Sequence, residues 1–290
     1  MKHVVITGST SGIGFATAIA LARAGWRVIG AGRDAGRCAA AEAAVRAAVH
    51  GARVDFLAAE LGSRREVLGL AERIRQLLGS GNEGRLEALV LNAETVPAWF
   101  TVTEDGYETQ FAVNYLSGYF LARELEAELR LAGGARIVTT SSASHRGARL
   151  HWKDPMMRRS YNPLSAYKQS KLANLLFTVE HNRRRLDAAA PRAYAVDPGL
   201  VDTAIGEKGG GIVALVWKWR RRAGVTAEAA ARTIVHLVVE ASLADPEAPY
   251  WKDSRPLAPS RRALDAEEGR RLWELSERLC GESAAEEASK

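Results

Sequence analysis

The segment Thr7-Gly-Ser-Thr-Ser-Gly-Ile-Gly14 stands between an apolar run, HVVIT (3–7), and the helix-like FATAIALARAG. A strand that breaks at a glycine-rich turn and resumes as a helix opens a parallel α/β unit. The rest of the chain repeats the alternation. Strand-like runs recur at RVIGA (27–31), RVDFL (53–57), EALVLN (87–92), ARIVTT (135–140) and RAYAV (192–196). Helix-like segments lie between them at about 14–24, 35–50, 63–79, 107–131 and 164–187. This succession predicts an α/β fold, a doubly wound parallel sheet with helices on both faces. Such sheets bind ligands outside the carboxyl ends of their strands. A chain of 290 residues suits one large domain, here read as 1–281. The tail 282–290 is small and polar and is expected to fray.

Charge and cysteine usage narrow the classes. The formal charge is +6, with arginines grouped at Arg158-Arg159, Arg183-Arg184-Arg185 and Arg220-Arg221-Arg222. A nucleic-acid surface would need a basic stripe with stacking aromatics or a known motif, and neither is present. Solvated helix ends, or a field that attracts an anionic cofactor, is the better reading. No apolar run approaches the roughly 20 residues that span a bilayer. MKHVVITG enters a strand directly, which leaves no room for a signal peptide. Cys38 and Cys280 are lone thiols. They form neither a disulfide framework nor a metal cluster, so a cytoplasmic protein without a metal is expected.

The turn at 7–14 also has a chemical reading. Its glycines let the backbone turn tightly and approach a diphosphate seated on the N-terminus of the following helix. The spacing TGxxxGIG, with YxxxK further on, resembles the short-chain dehydrogenase/reductase family. The resemblance implies a single Rossmann-type domain that carries a nicotinamide cofactor on Gly8, Ser9, Thr10, Ser11, Gly12, Ile13 and Gly14. It is closest to the retinol-dehydrogenase-like branch, through TEDGYETQFAVNYL, YNPLSAYKQSKLANLLF and the ending YWKDSRPL…RRLWELSERLCG. Light-dependent protochlorophyllide reductases share much of the layout but use a cysteine in the substrate region, where this chain has none.

The second strand ends at Ala31-Gly-Arg-Asp34. By the family register, the carboxylate that an NAD enzyme places on the adenosine ribose is here Gly32, followed by Arg33. A guanidinium pairs bidentately with a 2′-phosphate, which favours NADPH/NADP+ over NAD. Arg37, one turn further on, is a second candidate contact, and Asp34 is read as the cap of the next helix. Glu60-Leu61 stands where relatives have Asp-Leu near the adenine. Asn92-Ala93-Glu94 departs from the family's Asn-Ala-Gly. Two readings of Glu94 stay open: a side chain at solvent or the pocket mouth, and a carboxylate near the nicotinamide or substrate.

Helix geometry places residues i and i+4 on one face, so Tyr167 shares a face with Lys171 and not with Lys168. The chemistry needs that pairing. Bringing a phenol from near 10 to near neutrality costs about 4 kcal/mol. One cation about 4 Å away, at an effective dielectric near 20, supplies about 4 kcal/mol. The family's catalytic serine aligns with Ser142, the second of Ser141-Ser142, where a hydroxyl can steady a carbonyl oxygen as charge develops. A serine hydrolase would need a paired histidine and a GxSxG elbow. Neither is evident, and His145 is read as a loop residue. The resemblance further implies that Asn114 holds a helix kink and a proton-relay water, that Lys171 binds the nicotinamide ribose, and that Pro198-Gly199 and Thr203 contact the nicotinamide amide.

Residues 200–225 occupy the family's substrate-lid position, with Gly209-Gly-Gly211 as a hinge. IVALVWKW followed by arginines reads as a lid over a greasy substrate, and secondly as a weak membrane-surface contact. Trp99, Phe100, Trp152 and Trp219 are candidates to line a pocket for a bulky hydrophobic or aromatic carbonyl or alcohol. Core packing accounts for several of them equally well. The LANLLF face permits a homodimer. The expected activity is ketoreductase-type, with the alcohol oxidation as its reverse. Its rivals are a catalytically idle NADP(H)-binding sensor or scaffold and C=C reduction on the same scaffold.

Overall fold

The computed structural model describes residues 1–79, 84–199 and 225–287. Its strands are β1 His3–Thr7, β2 Arg27–Gly32, β3 Val54–Ala58, β4 Ala88–Leu91, β5 Arg136–Thr140, β6 Arg192–Val196, β7 Tyr250–Lys252 and β8 Arg255–Pro256. They form one sheet in the order β3-β2-β1-β4-β5-β6-β7-β8. All neighbours run parallel except β8, which returns antiparallel along β7. The helices are α1 Gly12–Arg23, α2 Ala35–Ala48, α3 Arg64–Gly79, α4 Thr109–Phe111, α5 Ser117–Glu124, α6 Glu126–Leu131, α7 Pro163–Arg183, α8 Ala227–Val239 and α9 Ala266–Glu287. The six strands read from the sequence are all present.

Period-two alternation along each strand feeds two cores. Val5, Ile29, Leu89 and Ile137 face one side, against Leu70 and Ile74 of α3, Leu121 of α5 and Leu172 and Leu175 of α7. Val4, Ile6, Val28, Val90 and Val138 face the other, against Leu21 of α1 and Ile234 and Leu237 of α8. Both faces are covered, which is why the strands read as unbroken apolar runs.

Two differences from the sequence reading have local causes. The single helix expected at 107–131 is divided, with a π turn at Ala112–Leu116 between α4 and α5 and a break before α6. A π turn admits an extra residue into the helix, which apolar periodicity does not register. The β7–β8 hairpin was not anticipated. Its turn residues Asp253 and Ser254 have φ of 49° and 57°, a two-residue hairpin geometry that usually announces itself with Asn-Gly.

The C-terminal helix α9 lies along α7, with Trp273 stacked on Phe177 at 6.1 Å and 10°. The apolar residues of LANLLF are therefore buried within the chain itself, Leu172, Leu175, Leu176 and Phe177 among them. α9 continues through Glu287, past Gly281 where the sequence suggested fraying. Among the described residues, no helix is long and apolar enough to cross a membrane. The arginines of two clusters serve local structure. The Arg158 and Arg159 N–H groups cap onto Asp154, and Arg183 and Arg184 pair with Glu180.

Candidate active site

Strand order reverses between β1 and β4, and the crevice there collects the sequence-identified residues at the carboxyl ends of β1, β4 and β5. The turn after β1 lies against the end of β4. Thr7 Oγ1 accepts the N–H groups of Asn92 and Ala93 at 3.0 and 3.1 Å. Asn92 Nδ2 donates to the Thr7 and Gly8 carbonyls at 3.2 and 3.3 Å. Gly8 holds φ +66°, and a Cβ there would come 2.7 Å from Ala93 Cα. A Cβ on Gly14 would meet the Gly8 carbonyl oxygen at 2.4 Å. The turn admits no side chain at either place. Ser9 is buried and bonded to Ala31, and no acid stands in the first turn of α1. Ser11, its N-cap, makes no side-chain cap hydrogen bond.

At the end of β2, a Cβ on Gly32 would fall 2.5 Å from Thr10 Cγ2. Asp34 caps α2 as expected, its Oδ1 accepting the Arg37 N–H at 2.7 Å. Arg33 is exposed and pairs loosely with Glu60, Nε to Oε2 3.7 Å. Glu60 Oε1 also accepts the Gly62 N–H, and Leu61 is buried in the core.

Asn162 starts α7 by accepting the Ser165 N–H at 2.9 Å, with Pro163 in the first turn. This start sets the phase of the helix. Tyr167 and Lys171 face inward, while Lys168 is exposed. Lys171 is 1% exposed, and its Nζ lies 5.4 Å from the Tyr167 ring centroid. Lys171 Nζ donates to the Thr140 carbonyl at 3.0 Å. It also pairs with Glu94 Oε2 at 2.5 Å, a carboxylate only 16% exposed. Of the two readings of Glu94, the solvent-facing one is corrected. The energetic argument from one uncompensated lysine is corrected with it, because the ammonium is paired with a carboxylate whose charge opposes its own.

The adjacent serines have different surroundings. Ser141 is buried and its hydroxyl donates to the Lys171 carbonyl at 2.9 Å, fastening β5 to α7. Ser142 is half-buried, and its hydroxyl accepts the Ser144 N–H at 3.1 Å at the start of a short 3-10 turn. His145 in that turn is no free loop residue. It is 1% exposed, bonding Ser142 O through Nδ1 and accepting the Ser260 N–H at Nε2. Burial lowers its pKa.

Asn114 sits in the π turn. Its Oδ1 accepts the Thr95 N–H at 2.7 Å, and its Nδ2 donates to Thr95 O at 3.0 Å and Ser170 Oγ at 3.2 Å. Asn174 Nδ2 donates to the carbonyls of Asn114 and Thr140, at 2.9 and 3.2 Å. Thr95, Thr140, Ser170 and Asn174 escaped the sequence reading, which had His145 only as a loop residue. Only Asn174, one turn beyond Lys171, carried a spacing cue.

Among the described candidates, Trp99 and Trp152 have different surroundings. Trp99 is 81% exposed. Trp152 packs against the core beneath Arg271 of α9, at 4.3 Å, which favours the packing role. Phe100 lies at the surface, edge-on to Tyr161. Pro198-Gly199 follows β6, with the Gly199 N–H on Asp197 Oδ1 at 3.0 Å. Thr203, Trp219 and the lid at about 200–225 lie outside the described residues, apart from Val225. A cavity of about 340 Å³ beside Trp273, His181 and Arg184 is lined by none of the candidate site residues.

A model of the short chain dehydrogenase family matches residues 2–210. Retinol dehydrogenase 13 of Homo sapiens is 33% identical over 97% of this chain and 85% of its own length. An uncharacterised protein from Mycobacterium Paratuberculosis has a similar crystal structure, with TM-score 0.75 and 30% identity over 96% of this chain and 93% of that one. NADPH-dependent 3-quinuclidinone reductase from Rhodotorula Rubra gives TM-score 0.64 and 25% identity over 84% and 86%. The sheet order, the turn at 7–14 and these likenesses together establish that the chain belongs to the short-chain dehydrogenase family, in its retinol-dehydrogenase-like branch.

Proposed function

We propose that the chain is an NADP(H)-dependent oxidoreductase that interconverts a ketone or aldehyde with its alcohol on a bulky hydrophobic or aromatic substrate. The observation that carries the reading is Lys171 Nζ, buried and 5.4 Å from the Tyr167 ring, at the strand ends that also hold the glycine turn. The residues fit a phosphorylated dinucleotide. Gly8 and Gly14 leave a cradle that a Cβ would fill, and the α1 N-terminus is uncapped and free of acids. Its N–H groups suit a diphosphate. Thr10 packed on Gly32 leaves no place for a ribose-binding carboxylate there. Arg33 is exposed, and its weak pairing with Glu60 is readily exchanged for a 2′-phosphate. The relative described as NADPH-dependent agrees with this choice.

When bound, NADPH supplies the hydride. Tyr167 then donates its phenolic proton to the substrate oxygen, and the half-buried Ser142 hydroxyl donates a hydrogen bond to the same atom. Once released from Glu94, Lys171 stabilises the phenolate that results and binds the nicotinamide ribose. Asn114 braces the end of β4 and offers its carbonyl to a relay water. Gly12, Ile13, Arg37, Leu61 and Pro198-Gly199 complete the cofactor cleft. A hydrophobic substrate is supported by likeness to retinol dehydrogenase 13 and by the apolar run IVALVWKW in the sequence. Free cysteines, Cys38 among them buried, accord with a cytoplasmic setting.

The test is NADPH oxidation over a panel of aromatic ketones, retinoids and polyketide-like carbonyls, with product structure determined. Tyr167→Phe is expected to lose at least about a hundredfold in kcat while NADPH still binds. Unchanged turnover removes Tyr167 from the chemistry. The Lys171–Glu94 pair gives the idle-binder reading its one structural support. Cofactor binding with no turnover on any substrate would favour it, and a saturated C–C product would favour C=C reduction.

A further inference from the structure

Glu94 is the one charged group that closes on the Lys171 ammonium among the described ion pairs, and its position is not accidental. The backbone is pinned on both sides of it. Ala93 donates its N–H to Thr7 Oγ1 at 3.1 Å, and Thr95 is clasped through both N–H and C=O by the Asn114 amide. The carboxylate is thereby aimed inward, with its Oε2 2.5 Å from Lys171 Nζ. An ammonium has three donors. One is committed to Thr140 O and another to Glu94.

We infer that Glu94 is a built-in competitor for Lys171, holding the ammonium in the cofactor-free protein and weakening the binding of the nicotinamide-ribose half of NADP(H). The inference rests on the proposed role of Lys171 as ribose ligand. A ribose hydroxyl is a neutral acceptor, and a carboxylate on the same ammonium makes the shorter and stronger bond. The hydroxyls therefore win only when the rest of the cofactor is seated and Glu94 turns away. Its 16% exposure leaves the carboxylate a way toward the cleft mouth. Apparent affinity is the intrinsic affinity reduced by the fraction of molecules whose Lys171 is released. Asn114 is accordingly a positioning residue for Glu94 as well as for the helix.

Two ligands separate this effect from general electrostatics. NADP+ carries the nicotinamide ribose, whereas 2′,5′-ADP carries the adenine half and the 2′-phosphate without it. Dissociation constants for both are measured by calorimetry on the full chain, for wild type, Glu94→Gly and Glu94→Gln. Glu94→Gly is expected to tighten NADP+ about tenfold, as for a wild type that releases Lys171 in about one molecule in ten. Its affinity for 2′,5′-ADP stays within about twofold, and Glu94→Gln moves NADP+ in the same direction by less. If Glu94→Gly fails to fold, the sign of the Glu94→Gln change decides. NADP+ affinity that is unchanged or weaker overturns the inference, as does an equal gain for 2′,5′-ADP. Wild-type protein that binds 2′,5′-ADP but gains nothing at position 94 leaves the cofactor reading standing and removes only Glu94. Wild type that binds neither ligand removes the cofactor reading and the inference together.

Discussion

The imidazole of His145 holds the backbone of Ser142: its Nδ1 lies 2.7 Å from the Ser142 carbonyl oxygen, while Nε2 accepts the Ser260 N–H at 3.2 Å. A ring that accepts at Nε2 must carry its proton on Nδ1, so it donates to Ser142 and is neutral. The serine proposed to steady the substrate oxygen is thus placed by the ring of a neighbouring histidine. His145→Ala is expected to lower kcat about tenfold to a hundredfold with NADPH affinity little changed, because small misplacements of a catalytic group are costly. His145→Asn, which retains a donor, is expected to recover part of the loss. Steady-state kinetics of both variants, with cofactor titrations, check this, and equal rates in wild type and His145→Ala would discard the positioning role.

Cofactor choice is predicted to reside in Arg33. Among the described residues its ion-pair partner is the half-exposed Glu60, at 3.7 Å, and exposed pairs contribute little. Arg33→Ala should raise KM for NADPH about tenfold or more and leave KM for NADH nearly unchanged, since a bidentate phosphate contact is worth roughly 1.5–3 kcal/mol. Parallel initial-rate measurements with both cofactors provide the readout. A similar preference in variant and wild type would show that another group reads the 2′-phosphate.

The pH dependence of stability is expected to carry a histidine signature from the interface of α7 and α9. Burial lowers the His181 pKa from 6.5 to about 4, and its Nε2–H donates to Pro191 O at 3.1 Å. With the folded value below the unfolded one, the unfolded chain binds more protons between those limits. Stability is therefore complete above about pH 6.5 and is withdrawn as pH falls toward 4, by about 3 kcal/mol for this group. His181→Gln should flatten the slope of melting temperature against pH in that window. An identical slope in the variant would place the acid sensitivity elsewhere, with His145 the next group to examine.

Much of the site was legible because its signals are local. The i to i+4 spacing of Tyr167 and Lys171, the glycine turn between a strand and a helix, and Asp34 as a helix cap all follow from geometry within a few residues. What the sequence could not rank were residues whose neighbours come from other strands. Ser141 and Ser142 look alike in a string. Pairing of β5 with β4 and β6, and the packing of α7, bury one hydroxyl on Lys171 O and leave the other half-buried on the Ser144 N–H. Trp99 and Trp152 were equivalent candidates until α9 covered the second and solvent took the first.

The sequence by itself determined six of the eight strands, their parallel winding and the tyrosine–lysine face, because periodicity and short-range backbone geometry are written along the chain. Only the tertiary structure decided what Lys171 touches. β4 and α7 are far apart in sequence, and it is the strand order β1-β4-β5, with Asn114 clasping Thr95, that brings Glu94 Oε2 to within 2.5 Å of the ammonium. A charge pair across elements has no period, so no spacing rule announces it.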